Sequence, residues 1–241
     1  MRNTAQKQHI NYIKIIVAYA IDIDLKKRYN LIVKTRLYRF FCIFRSWFFM
    51  EDLFFRNDQS MIDYVDTLSE FRLPRWDKIP TLGLYMDQVV TVIDQALSPL
   101  IGFNEEAFIT PAMINNYVKL GMVRKPDKKK YSREHIASLI VITVLKQSTA
   151  IGDIRLGIDT ALKNSDPQSS YDSFCDYVER AVRIVALNTV CKDDTATMDF
   201  SFHSQHALIT MAVCSFATKI ITAKMVSILR ESTLYSDTEQ K

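Results

Sequence analysis

Through the middle of the chain, apolar residues recur every three or four positions, the spacing of one helix face turned toward a core. Tyr85, Val89, Val92, Ile93, Ala96 and Leu100 make one such stripe. Asp87, Gln88, Thr91, Asp94 and Gln95 fill the opposite side. The pattern predicts a helix from about Leu84 to Leu97. Ser98-Pro99 closes it, because a residue before proline avoids the helical conformation. The preceding "LPRWDKIPTLGLY", residues 73–85, holds two prolines and a glycine and predicts a loop or extended segment.

A second helix is predicted from Pro111 to Leu120. Thr110 is its N-cap, Pro111 sits at the first helical position where no N–H is needed, and Gly121 stops it. Met113, Ile114, Tyr117, Val118 and Leu120 face inward. Ala112, Asn115, Asn116 and Lys119 form the opposite stripe. Then follows "MVRKPDKKKY", in which Pro126-Asp127 predicts the turn of a tight two-armed loop. Ser132 caps a third helix, with Glu134 in its first turn and Ile136, Leu139, Ile140, Thr143 and Val144 on its inner face. A fourth, from about Ala150 to Lys163, uses Ile151, Ile154 and Ile158.

Residues 166–235 predict two longer helices. The first opens at Asp166-Pro167 and runs to about Asn188. Its stripe is Tyr171, Phe174, Val178, Ala181 and Val185, with Asp172, Asp176, Glu179, Arg180 and Arg183 outside. The last spans about Met198 to Glu231. It is apolar except for a narrow strip of Ser215, Thr218, Lys219, Thr222 and Arg230. Such a helix belongs at the centre of a bundle or in a subunit interface.

Composition leaves this all-α picture intact, with hydrophobic residues at 48% and charged residues at 24%. Charge changes it. Residues 1–49 carry 10 Lys/Arg and 2 Asp/Glu, leaving 31 − 10 = 21 basic and 27 − 2 = 25 acidic residues elsewhere. The remainder is therefore mildly acidic, and a nucleic-acid surface must be local. One such place exists. Between Lys119 and Arg133 stand seven basic residues and one acid.

Residues 1–49 contain no Gly or Pro and follow no clear period. Their apolar runs fall short of a membrane span. We read the segment as translated from upstream of the true start, with Met50 or Met61 as the beginning, and residues 1–60 as a leader outside the domain. The alternative is a basic arm for membrane surfaces or nucleic acid. Cys42, Cys175, Cys191 and Cys214 are widely spaced and read as free thiols in a reducing compartment. With no secretory signal in the chain, a cytoplasmic, bacterial-type protein is expected.

Candidate chemistry is sparse. His203 and His206 stand one turn apart with Asp199 a further turn back, half of a metal site at most, and we expect no metal there. Met86, Met113, Met198, Met211 and Met225 read as core filler. No phosphate-binding loop, dinucleotide fingerprint or nucleophile elbow occurs. We expect no cofactor and no enzymatic activity.

The successive signals "TPAMINNYVKLGMV", a basic loop, "YSREHIASL" and "STAIGDIRLGI" resemble the winged helix-turn-helix of MerR-type transcriptional regulators. More closely, "LPRWD", "YMDQVV", "LSPLIG", "ITPAMINNYVKLGMV" and "KKKYSREHIASLIV" resemble a family of uncharacterised Firmicutes proteins classed as a domain of unknown function. The resemblance covers about residues 72–165. It implies double-stranded DNA as partner, a recognition helix at 111–120 and a basic wing at 122–131. Ala112 and Asn115 stand where those regulators usually place arginines. Asn115 and Asn116 have the donor and acceptor pair that reads adenine in the major groove. Thr110, Ala112, Lys119, Arg124, Lys125, Lys128, Lys129, Lys130, Tyr131 and Arg133 complete the expected DNA-binding set, with the basic groups on phosphates. The expected function is a DNA-binding transcriptional regulator, with a helical protein–protein adaptor as the alternative. Residues 166–235 would serve dimerisation or an effector, and a homodimer through residues 198–231 is expected.

Overall fold

The structure, a computed structural model, describes residues 55, 58–100, 107–190, 198, 202 and 204–238, except the side chains of 205 and 232–238. All lie in one unit, residues 52–241. Their regular elements are all helices, and their β features are two isolated bridges.

Helix α1, Gln59–Ser69, starts where the Asp58 carboxylate accepts the Met61 N–H at 3.0 Å. Its Met61, Tyr64, Val65 and Leu68 are buried. Helix α1 thus begins ahead of Met61, and Phe55 is also buried in the core. The expected start is Met50 or Met61; Phe55 and residues 58–60, expected in the leader, belong to the same unit as the rest of the described residues.

Residues 71–80 form a strap with one 3-10 turn at Trp76–Lys78. Helix α2 is Met86–Leu97. It starts two residues later than its periodicity suggested, because Leu84 is held in a bridge to Tyr131. Tyr85, assigned to the inner stripe, is instead 54% exposed. Ser98–Leu100 prolongs α2 as a 3-10 turn.

Helix α3 is Pro111–Lys119, α4 is Arg133–Leu145, α5 is Ile151–Asn164, α6 is Pro167–Thr189 and α7 is Ala207–Thr238. The chain's centre is α4. Eight of its thirteen residues are buried, on all sides of the helix. It packs on α2, α5, α6 and α7. Burying each large aliphatic side chain is worth about 1.5–3 kcal/mol, so this short helix anchors the fold despite its β-branched residues.

Helix α7 packs mainly on α6 through Val213, Phe216, Ala217, Ile220, Ile221 and Ile228, and also on α1 and α4. Its apolar circumference is thus covered largely within the chain. One stripe stays open, with Leu208 and Met211 at one end and Ser215, Thr218 and Thr222 beyond. By length and composition alone, Ala207–Glu231 could also cross a membrane. Met198 and Met211 are exposed, not core filler.

Glu179, expected on the outer face of α6, is buried. Its Oε1 accepts the Leu73 N–H at 3.0 Å, and its Oε2 lies 2.9 Å from Arg75 Nη2. Asp172 accepts the Trp76 N–H at 2.8 Å, and Tyr171 donates to the Pro74 carbonyl at 2.9 Å. The strap is fastened to α6 by these bonds. A buried polar group needs such partners, and periodicity cannot show them.

Candidate nucleic-acid interface

Helix α3 begins as its sequence dictates. The Thr110 hydroxyl accepts the Met113 N–H at 3.3 Å, and Pro111 opens the first turn. It ends in a Schellman motif: Met122 N–H donates to the Tyr117 carbonyl at 2.9 Å, and Gly121 N–H to the Val118 carbonyl at 3.0 Å. Gly121 has φ +69°, the left-handed conformation that glycine adopts without strain. Ile114 and Tyr117 are buried, and Ala112, Asn115, Asn116 and Lys119 are all exposed. Leu120, expected inside, is 46% exposed because the helix has already ended there. Arg155 of α5 donates to its carbonyl at 3.1 Å.

The basic loop turns two residues later than the sequence suggested. Lys130 N–H donates to the Asp127 carbonyl at 2.8 Å, and Lys128 and Lys129 both have positive φ, 47° and 65°. Two consecutive left-handed residues make a type I′ turn, a geometry that favours Asn and Gly. The turn is therefore Asp127–Lys130, not Pro126-Asp127, and its tip carries two lysines. The returning arm is pinned: Leu84 and Tyr131 exchange backbone hydrogen bonds of 2.9 and 2.8 Å. A Cβ on Gly83 would come within 3.0 Å of the Lys130 Cβ, so the two segments pack tightly.

The basic residues divide by what they touch. Lys119, Lys125, Lys128 and Lys129 are exposed and pair with no acid among the described residues. Lys130 reaches over the Tyr85 ring, 5.5 Å from its centroid. Arg124 is exposed and lies 3.6 Å from Glu134. Arg133 is engaged inside the fold. Its Nε donates to the Ile79 carbonyl at 2.9 Å and its guanidinium lies 5.9 Å from the Trp76 ring centroid. Tyr131 is buried, and burial raises its phenol pKa, so its ring faces the core rather than a ligand.

Ser132 caps α4 with a partner not expected from the sequence. His135 Nδ1 lies 3.0 Å from the Ser132 backbone nitrogen and accepts its N–H. Of the weighed metal ligands, Asp199 and His203 lie outside the described residues, and His206 stacks beside Tyr177.

The sequence around this geometry has a family match. Residues 74–175 match the family model of a domain of unknown function, DUF1836. The match begins in the strap and ends inside α6, so it contains the Trp76–Asp172 and Pro74–Tyr171 bonds but neither Leu73 nor Glu179. It runs ten residues beyond the resemblance read from the sequence. No curated protein and no solved structure matches the chain.

Proposed function

We propose that this chain is a DNA-binding transcriptional regulator with a MerR-like winged helix-turn-helix, acting in the cytoplasm by binding rather than by chemistry. One observation carries the reading. A short helix presents an acid-free outer stripe, Ala112, Asn115, Asn116 and Lys119, and runs through Gly121 into a hairpin whose tip is Lys128 and Lys129. The α3 stripe would lie in the major groove, where asparagine amides pair with adenine N6 and N7. Lys125, Lys128, Lys129 and Arg124 would hold phosphates. Arg133 and Tyr131 would act indirectly, by holding the hairpin and the strap in place.

The proposal includes a homodimer. A nine-residue helix is about 14 Å long and meets only a few base pairs, and two copies double the site. The open stripe of α7, with Leu208 and Met211, is the surface offered for it. Sedimentation at micromolar concentration tests this, and a clean monomer that binds DNA tightly would count against it.

A helical protein–protein adaptor has its own support in the exposed Leu120 and Leu156. Salt separates the two. DNA binding through several phosphates weakens log-linearly with salt. Anisotropy of a labelled duplex pool between low and physiological salt decides the matter, and a flat dependence or no binding would remove the DNA reading.

A further inference from the structure

The segment between the strap and α2 is held at both ends by the foot of the basic hairpin. The Ile79 carbonyl accepts from Arg133 Nε at 2.9 Å. Leu84 exchanges two backbone hydrogen bonds with Tyr131. Beside it, Gln88 Oε1 accepts the Tyr85 N–H at 2.9 Å. Residues 80–83 therefore make a short loop with fixed ends, and Thr81, Leu82 and Gly83 are exposed on it. Leu82 is 79% exposed, and Tyr85 at the loop's exit is 54% exposed. Residues 78–86 contain no acid, and the Lys130 ammonium lies over the Tyr85 ring.

A lone exposed leucine is ordinary on a protein surface. The setting of this one is not. Lys130 N–H donates to Asp127 on the outgoing arm, and Tyr131 N–H donates to Leu84. Successive backbone groups of an extended segment point to opposite edges, so the returning arm lies between the outgoing arm and the Leu82 loop. The outgoing arm itself departs from α3 at Gly121. The chain thus sets side by side a helix, a hairpin bearing lysines and an apolar loop. A duplex alternates in the same way, with a major groove, a phosphate strand and then a minor groove.

We propose that Leu82, with Tyr85 beside it, is an apolar wedge that enters the minor groove next to the phosphates held by the hairpin. The proposal rests on the reading of α3 as the helix in the major groove. Leucine is among the side chains that slip between base steps from the minor groove and partly unstack them. The loop's ends are fixed before DNA arrives, so little chain entropy is lost on insertion. Tyr85 widens the apolar edge and keeps Lys130 beside the phosphate strand. Arg133 and Tyr131 are positioning residues, which hold the loop without touching DNA.

The test uses the full chain and a duplex selected for tight binding. Parent protein is compared with Leu82→Ser, with Tyr85→Ser and with Leu187→Ser on α6 as control. All should melt with the parent, since the three side chains are exposed and serine suits the cap position at Tyr85. Leu82→Ser should weaken binding about tenfold, the lower end of what burying a leucine provides. Its salt slope should match the parent's, because no phosphate contact is lost. Tyr85→Ser should lose less, and Leu187→Ser nothing. 2-Aminopurine, placed base by base along the duplex, should brighten at one step with the parent and stay dark with Leu82→Ser. DNA bound by Leu82→Ser as tightly as by the parent, or bound by the parent with no base brightened, overturns the wedge and leaves the DNA reading standing. A parent that binds no duplex overturns both. Vesicles of equal parts phosphatidylcholine and phosphatidylserine form the second arm. Sedimentation of the parent with them, lost in Leu82→Ser, would assign the loop to a membrane surface and likewise overturn the wedge.

Discussion

The guanidinium of Arg155 closes the end of α3 by donating to the Leu120 carbonyl, 3.1 Å away. The next residue, Gly121, holds the left-handed turn from which the basic hairpin departs. Two contacts therefore fix the direction in which the hairpin leaves. Arg155→Met removes an exposed bond and should cost about 0.5–1 kcal/mol. Gly121→Ala should cost about 1–2 kcal/mol, since a Cβ disfavours positive φ. Urea denaturation measures both, and an undiminished Gly121→Ala protein would show that the turn is not held in solution.

The hairpin tip offers a trade between stability and binding. Lys128→Asn with Lys129→Gly installs the pair that a type I′ turn prefers. Melting temperature should rise, by an amount matching about 1 kcal/mol or more. DNA affinity should fall, with a salt slope flatter by about two units. Stabilisation with unchanged DNA binding would mean that the tip lysines touch no phosphate.

Base reading and backbone holding should separate. Asn115→Ala or Asn116→Ala should lower affinity for a preferred sequence by about 1–3 kcal/mol and leave random DNA nearly unaffected. Lys128, Lys129 and Lys130 changed together to Ala should weaken every sequence alike. Competition anisotropy with selected and scrambled duplexes reads both. Equal loss on both duplexes for the asparagine variants would exclude base contact by α3.

Glu179 should be the costliest single truncation outside the apolar core. Glu179→Ala leaves the Leu73 N–H and the Arg75 guanidinium without their shared acceptor. A loss of about 2–4 kcal/mol is expected, at the lower end if Arg75, which is partly exposed, turns to Asp176 alone. Chemical denaturation checks it. A loss below 1 kcal/mol would show that the strap is held by other means.

Trimming the chain to Met61 should destabilise it relative to trimming at Asp52. The shorter form lacks Phe55 from the core and the Asp58 cap of α1, the cap alone worth about 1 kcal/mol. Parallel thermal melts decide this, and equal midpoints would remove residues 52–60 from the folding unit.

Much of this architecture was legible, for identifiable reasons. Thr110-Pro111, Gly121, Ser132 and Asp166-Pro167 mark helix ends because caps and stops depend on residues adjacent in sequence. The outer stripe of α3 follows from a period of 3.6. What stayed hidden depends on distant partners. Glu179 looks like a solvated acid on α6 until Leu73 and Arg75 arrive from the other end of the domain. Arg133 reads as a phosphate ligand from the sequence, which gives no sign of its contacts with Ile79 and Trp76. Even the tip of the hairpin eluded local reading, because Pro126-Asp127 is the stronger turn signal while the Leu84–Tyr131 pairing sets the register.

The clasp between strap and α6 also has a consequence for biosynthesis. Leu73 and Glu179 are 106 residues apart, and Trp76 and Asp172 are 96 apart. A ribosome adding about 5–20 residues per second needs about 5–20 s to supply the second half of each pair. By the end of that interval α2 to α5 have been made, with no anchor yet for residues 73–76. The basic hairpin is thus made before the domain can lock, and a chain interrupted before α6 would carry the candidate binding surface on an unfastened scaffold.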